Sequence, residues 1–172
     1  MQKQTEKQFG FTIVELLIVI VVIGILAAIT IVAYNGVQQK ARDTKRDSDV
    51  ALYEKAIFAA RVNSGTVLRY ITNSGWSTGQ CAISSGNPGN VEPKDLPKTH
   101  ACWVQYYNNL TQIGNAAGMS LNALREGDPN GNPYTLDENE GETCSTDRMY
   151  VFRNNGTAEY DMIKAIPRTA EC

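Results

Sequence analysis

The sequence predicts an α+β chain in which one long N-terminal helix, apolar in its first half, packs its second half on a small antiparallel sheet. Three observations predict it. Residues 11–33 are almost wholly apolar, with Glu15 as the sole ionisable side chain, and about 20 apolar residues suffice to cross a bilayer core of roughly 30 Å. No proline interrupts residues 11–63, which are rich in good helix formers. Two runs near the C-terminus, 149–153 and 158–163, read as strands around Asn154-Asn155-Gly156-Thr157, a strong hairpin signal.

Taken in order, residues 1–10 are polar, with Lys3 and Lys7. An ordinary secretory signal carries a shorter apolar segment followed by a small-residue cleavage site. Here the polar stretch precedes the apolar run, so removing it would leave the run in the mature chain. Residues 11–34 form the spanning segment. The helix has no polar face there, so it needs lipid or similar helices on all sides. Thr12-Ile13-Val14-Glu15 matches the spacing of a capping box, in which Thr and Glu satisfy backbone N–H groups reciprocally. A carboxylate inside a membrane segment is equally a functional candidate.

Residues 35–63 continue the helix. Leu52, Tyr53, Ala56, Ile57 and Ala60 fall on one stripe, which Val37 and Ala41 extend less regularly. Charged residues 40–49 belong to solvated faces, with Lys45 and Asp49 at a favourable spacing. Asn63-Ser64-Gly65 is the stop signal. A helix over 11–63 would be about 80 Å long, more than a domain of this size can cover. Gly24 and Asn35-Gly36 are its weak points, each Gly costing roughly 1 kcal/mol relative to Ala. They read either as packing sites or as places where the helix bends.

Residues 64–172 form the globular head. Val67–Ile71 is a strand or a short helical piece, and 72–101 is a turn-rich connection. Cys102-Trp103-Val104-Gln105-Tyr106-Tyr107 alternates like a half-buried strand, and Leu110–Arg125 has weak helical periodicity. The 16 basic and 18 acidic residues give no strong field, and no basic aromatic patch points to nucleic acid. His100 is the only histidine and reads as a loop cap. No nucleophile elbow, zinc-protease or phosphate-loop pattern occurs, so catalysis is not expected. Asn109-Leu110-Thr111 and Asn155-Gly156-Thr157 match the glycosylation pattern. Cys81, Cys102, Cys144 and Cys172 allow three disulfide pairings, and their spacings do not fit a zinc finger.

Gly10-Phe11-Thr12-Ile13-Val14-Glu15, with the basic stretch before it and the apolar run behind it, closely resembles the N-terminus of type IV pilins and of type II secretion pseudopilins. The resemblance covers about the first third of the chain. It implies a leader ending at Gly10, cut by a prepilin peptidase that also methylates the new amine of Phe11. It implies the pilin fold and a structural subunit of a pilus-like filament, with Glu15 pairing with the Phe11 amine of a neighbouring copy. The implied partners are other copies of the chain, the peptidase, the inner-membrane assembly machinery and membrane lipid. The implied location is a single-pass cytoplasmic-membrane protein with an external head, and then a surface filament. The Lys and Arg count around the span favours the reverse topology. A leader facing the cytoplasm, and cysteines suited to an oxidising exterior, place the head outside.

Sequential pairing, Cys81–Cys102 and Cys144–Cys172, is the expectation that accompanies the resemblance, since pilins often close their C-terminal loop in this way. Asp128-Pro129-Asn130-Gly131-Asn132-Pro133-Tyr134 resembles a segment of the major type II secretion pseudopilins, whose nearby loop binds calcium. By that analogy Asp128, Asp137 and Glu140 are the candidate ligands, all hard oxygen donors. The plain alternative is a Pro/Gly turn beside a solvated acidic loop, with no cofactor. A pseudopilin that drives protein export is the near rival for the function. A membrane-tethered binding or adhesion module that never polymerises is the distant one.

Overall fold

The computed structural model describes residues 11–73, 91–138, 146–152 and 160–167. It divides into two units, Met1–Ala41 and Arg42–Cys172, each taken by itself below. Helix α1 runs Ile13–Ser64, and its residues up to Ala41 make up the described part of the first unit.

In the second unit, α1 is followed by α2 (Leu68–Thr72), a 3₁₀ turn (Pro93–Asp95), α3 (Ala101–Ala117), a second 3₁₀ turn (Asn122–Leu124), and strands β1 (Thr135–Asp137), β2 (Asp147–Phe152) and β3 (Tyr160–Ile166). The sheet is antiparallel in the order β1-β2-β3. Thr135 faces Tyr150 across the first pair and Asp147 faces Ile166 across the second, with an irregularity between Met149 and Tyr150. A long helix with a three-stranded antiparallel sheet is the α+β arrangement expected.

One apolar core unites these elements. Tyr53, Ala56, Ile57 and Ala60 of α1 are buried with Trp103, Tyr106 and Ile113 of α3, Leu136 of β1, Met149 of β2 and Ile166 of β3. The stripe read from the sequence is therefore the core face, with Leu52 half-buried at its edge, while Val37 and Ala41 are exposed. Gly65 ends α1 at φ +66°, donating its N–H to Arg61 O, a conformation glycine adopts without steric cost.

Polar ties fix α1 to the rest of this unit. Arg61 donates to Asp147 Oδ2 at 2.5 Å and to the Pro167 carbonyl at 2.8 Å. Lys164 of β3 pairs with Glu54 at 3.2 Å. Asp49, expected on a solvated face, is buried. It pairs with Lys45 as the spacing predicts, at 2.7 Å, and also accepts a bond from Tyr134 Oη at 3.1 Å.

The expected strand at 102–107 is a correction, because these residues form the first turns of α3. Their alternation spans too few residues to separate the two periods. Over the longer window Trp103, Tyr106, Leu110, Ile113 and Ala117 recur three and four apart and are all buried, the period of a helix. His100 caps this helix by accepting the Cys102 N–H at 3.2 Å. Gly118 at φ +65° closes it, with Met119 N–H bonded to Gly114 O and Gly118 N–H to Asn115 O, the Schellman pattern. Gly114 has no room for a Cβ, which would lie 2.8 Å from Met119 O.

Residues 68–72 resolve as helical. The expected strands at 149–153 and 158–163 correspond to β2 and β3 with shifted ends, and the 154–157 turn lies outside the described residues. Asn109 is 3% exposed in mid-α3, which removes it as a glycan acceptor; Asn155 lies outside the described residues.

The Arg61–Asp147 pair has both side chains at 1% exposure or less. Asp147→Ala is expected to destabilise the detergent-solubilised chain by about 3–5 kcal/mol in urea unfolding, because it leaves a guanidinium buried without its counter-charge. Lys45→Ala, removing a half-exposed partner, should cost no more than about 1 kcal/mol.

Candidate functional site

The first unit carries the feature that most needs an explanation. Every residue from Phe11 to Tyr34 is exposed, and α1 is long and apolar enough to cross a membrane. In a water-soluble setting such a surface would be an aggregation site; contiguous apolar patches of this extent mark membrane or partner contacts. Among the described residues of this unit, nothing covers it.

Its start is fixed locally. Thr12 donates from its backbone N–H and from Oγ1 to Glu15 Oε2, both at 2.8 Å, and Glu15 N–H donates to Thr12 Oγ1 at 3.3 Å. This is the capping box that the spacing predicts. It holds the Glu15 carboxylate at the first turn, where the helix dipole favours a negative charge. Phe11, 84% exposed, immediately precedes it, and Gly10 lies outside the described residues. Thr30, a hydroxyl within the apolar stretch, is satisfied by donating to Ala27 O at 2.9 Å, as a polar group in hydrocarbon requires. Helix α1 is continuous through Gly24 and Gly36, and a Cβ at either would meet no atom within 4 Å. Neither glycine is therefore required by packing inside its own chain.

The segment from Asp128 to Tyr134 is a structural clamp. Asp128 Oδ1 accepts the N–H groups of Asn130 and Asn132, each at 2.9 Å, and Gly131 N–H closes a turn onto Asp128 O at 2.8 Å. Gly127 and Gly131 sit at φ +84° and +86°. A Cβ on Gly127 would lie 2.2 Å from Asn132 O, so this turn demands glycine. Asn132 Oδ1 accepts the Lys94 N–H at 2.8 Å, and Tyr134 reaches Asp49 on α1. Burial raises the Asp128 carboxyl above its ordinary value, against the lowering effect of its bonds to Asn132 and Asn130 and of the Arg46 charge.

For calcium, the fit is poor among the described residues. Asp128 is engaged in its own turn, Asp137 stands on β1 opposite Arg148, and Glu140 lies outside the described residues. No group of three His, Cys, Asp or Glu among the described residues could hold a metal ion. His100, as a helix cap, has a structural task. Cys102 is fully buried in the first turn of α3; Cys81, Cys144 and Cys172 lie outside the described residues. The clamp's role, and the burial of Asp49 beneath it, were missed by sequence reasoning. The glycines at 127 and 131 around Asp128 were the available signal.

Residues 6–31 match the family model described as the prokaryotic N-terminal methylation motif. The chain is 45% identical over 53 residues to the type IV major alpha-pilin of Moraxella bovis, covering 31% of this chain and 33% of that one. It is 40% identical over 55 residues to the type II secretion system core protein G of Escherichia coli (strain K12), covering 32% and 38%. The chain thus spans about a third of the length of each of these two relatives, 33% and 38%. A longer similarity, 28% identity over 160 residues, covers 87% of this chain and 94% of the type IV major fimbrial protein FimA of Dichelobacter nodosus. No solved structure matches.

The Asp128 turn yields a signed prediction. Because the folded state holds the Asp128 proton more tightly than the unfolded chain, its contribution to stability should fall as pH rises through the window between the ordinary carboxyl value and the raised one. Asp128→Asn keeps an oxygen for the two N–H donors and removes the buried charge. Its urea midpoint is expected to equal or exceed the parent's at pH 7, with a flatter dependence across that window, whereas Asp128→Ala should lose about 1–3 kcal/mol.

Proposed function

We propose that the chain is a member of the type IV pilin and pseudopilin family and a structural subunit of a type IV pilus-like filament, polymerised through its N-terminal helix. The observation that carries this reading is the exposed surface of residues 11–34, which only lipid or like helices can cover. In this proposal the precursor waits in the cytoplasmic membrane with its head outside. Prepilin peptidase cuts between Gly10 and Phe11 and methylates the Phe11 amine, and an assembly machine then transfers the helix from lipid to the filament core. No catalytic role is assigned to the chain.

Glu15 supplies the selectivity. Apolar helices slide on one another with little preference for register, but a carboxylate in an apolar core is tolerable only when paired and hydrogen-bonded. The amine of Phe11 on an incoming copy is the nearest counter-charge available by sequence, and misregistered packing would strand both charges. The capping bonds from Thr12 leave the carboxylate at the helix start, where a neighbour's terminus can reach it. A head matured outside the cytosol would give its cysteines an oxidising setting in which disulfides persist. The expected Cys81–Cys102 and Cys144–Cys172 pairings belong to this same proposal.

Similarity over nearly the whole of a major fimbrial protein favours a pilus subunit. The Asp128–Tyr134 segment favours the second reading, a type II secretion pseudopilin. Glu15→Val tests the polymerisation claim. The variant should insert in the membrane at wild-type levels and yield less than about a hundredth of the filaments recovered by shearing, about 3 kcal/mol or more per misformed contact. Abundant filaments from Glu15→Val would refute it and favour a tethered module with no need for the charge.

A further inference from the structure

Helix α3 has two unlike faces. One is the core stripe of Trp103, Tyr106, Leu110 and Ile113. The other carries Gln105, Asn108, Asn109 and Gln112, spaced three and four apart and therefore on one side of the helix. That side meets the C-terminal end of α2, where Asn73 adopts the left-handed conformation at φ +48°. Between the two helices lies a cleft of about 350 Å³ walled by these amides and by Val104.

We propose that this cleft binds a neutral saccharide. No charged side chain is among the described residues that line it, so a carboxylate or ammonium taken in would meet no counter-charge from those residues. The walls instead offer carboxamides, each presenting a donor and an acceptor side by side. Adjacent sugar hydroxyls offer the same pair in complementary order. Gln112 Oε1 is buried and accepts no hydrogen bond, and a buried acceptor in that state is costly until a donor reaches it. A ligand hydroxyl supplies that donor.

The apolar part of the site suits the same ligand. Val104 is 44% exposed at the cleft and can carry the C–H face of a sugar ring. The volume sits at the lower end of ligand pockets, roughly 300–1,000 Å³, which fits one or two rings. An extended peptide is disfavoured because helical walls offer no unpaired main-chain edge for it to join. Asn109 acquires a reason to be a buried amide in this arrangement, since it forms part of the wall. The proposal concerns the head alone and does not depend on polymerisation.

The test uses the full chain in detergent micelles, before any assembly. It is applied to an immobilised panel of neutral mono- to trisaccharides of glucose, galactose, mannose and N-acetylglucosamine, with sialylated and sulfated counterparts alongside. Binding to a neutral member, quantified by calorimetry, is expected to weaken about tenfold in Asn108→Ala and in Gln112→Leu, and to be unchanged in Lys55→Ala on the exposed face of α1. The near-UV circular dichroism of buried Trp103 reports folding. Asn108 is exposed, so Asn108→Ala carries the test if Gln112→Leu fails to fold. No neutral binder above the blank, a preference for the acidic counterparts, or wild-type affinity in Asn108→Ala would each overturn the proposal.

Discussion

An apolar helix that the described residues of its own unit leave uncovered is the constraint on which the rest of this protein depends. From Phe11 to Tyr34 the sequence spends its side chains on Ile, Val, Leu and Ala, and none of them is buried. Water would penalise such a surface at about 25 cal/mol per Å² of apolar area, so the segment exists in lipid or against other helices. Within it the chain keeps only what both settings tolerate: a hydroxyl satisfied by its own helix at Thr30, and a carboxylate held by a capping box at Glu15. In the proposed filament, the value of the Glu15 carboxylate lies in what it forbids, namely packings that leave it without a cation.

The second unit meets a different demand, which is to hold the latter part of the same helix firmly. The sheet has three strands and β1 is only three residues long, so the helix supplies much of the core through Tyr53, Ala56, Ile57 and Ala60. Buried polar ties then specify where each element sits. Arg61 links α1 to β2 and to the chain just after β3, while Asp49 receives Tyr134 from the end of the Asp128 turn. Tyr53 and Tyr106 lie deep in the same core, and desolvation holds both phenols well above their ordinary values. They remain neutral across the physiological range. The resemblance of the Asp128–Tyr134 segment to a calcium-associated stretch thus acquires a second explanation: its Asp and glycines build the turn that delivers Tyr134 to the helix.

Much of this could be read from the sequence where one short-range rule decides the outcome. Length and apolarity identify the spanning segment, the spacing of Thr12 and Glu15 gives the capping box, and Gly65 marks the end of α1. Strands β2 and β3 were recoverable because β-branched and aromatic residues cluster on either side of an Asn-Gly pair. The failures have a common cause. Residues 102–107 alternate over six positions, too few to distinguish a period of two from one of 3.6, and only the recurrence out to Ala117 reveals a helix. Strand β1 is too short to carry a pattern. Arg61 and Asp147 are 86 residues apart, so nothing local announces that they pair or that Asp49 lies beneath a tyrosine. The amide face of α3 was hidden by the same error, since the expected strand took in Gln105 while Gln112 fell in the separate helical stretch 110–125.

The central claim is that the helix beginning at Phe11 is a trimmed assembly element, and its most direct measurement is the mass of the chain's N-terminal peptide. Cells are sheared, and the peptide is identified by mass spectrometry in the sheared and membrane fractions. The account predicts N-methylated Phe11 as the first residue of the protein in the sheared fraction. An intact Met1 terminus in every fraction would contradict it, because an uncut leader would leave no amine at Phe11 for Glu15 to meet.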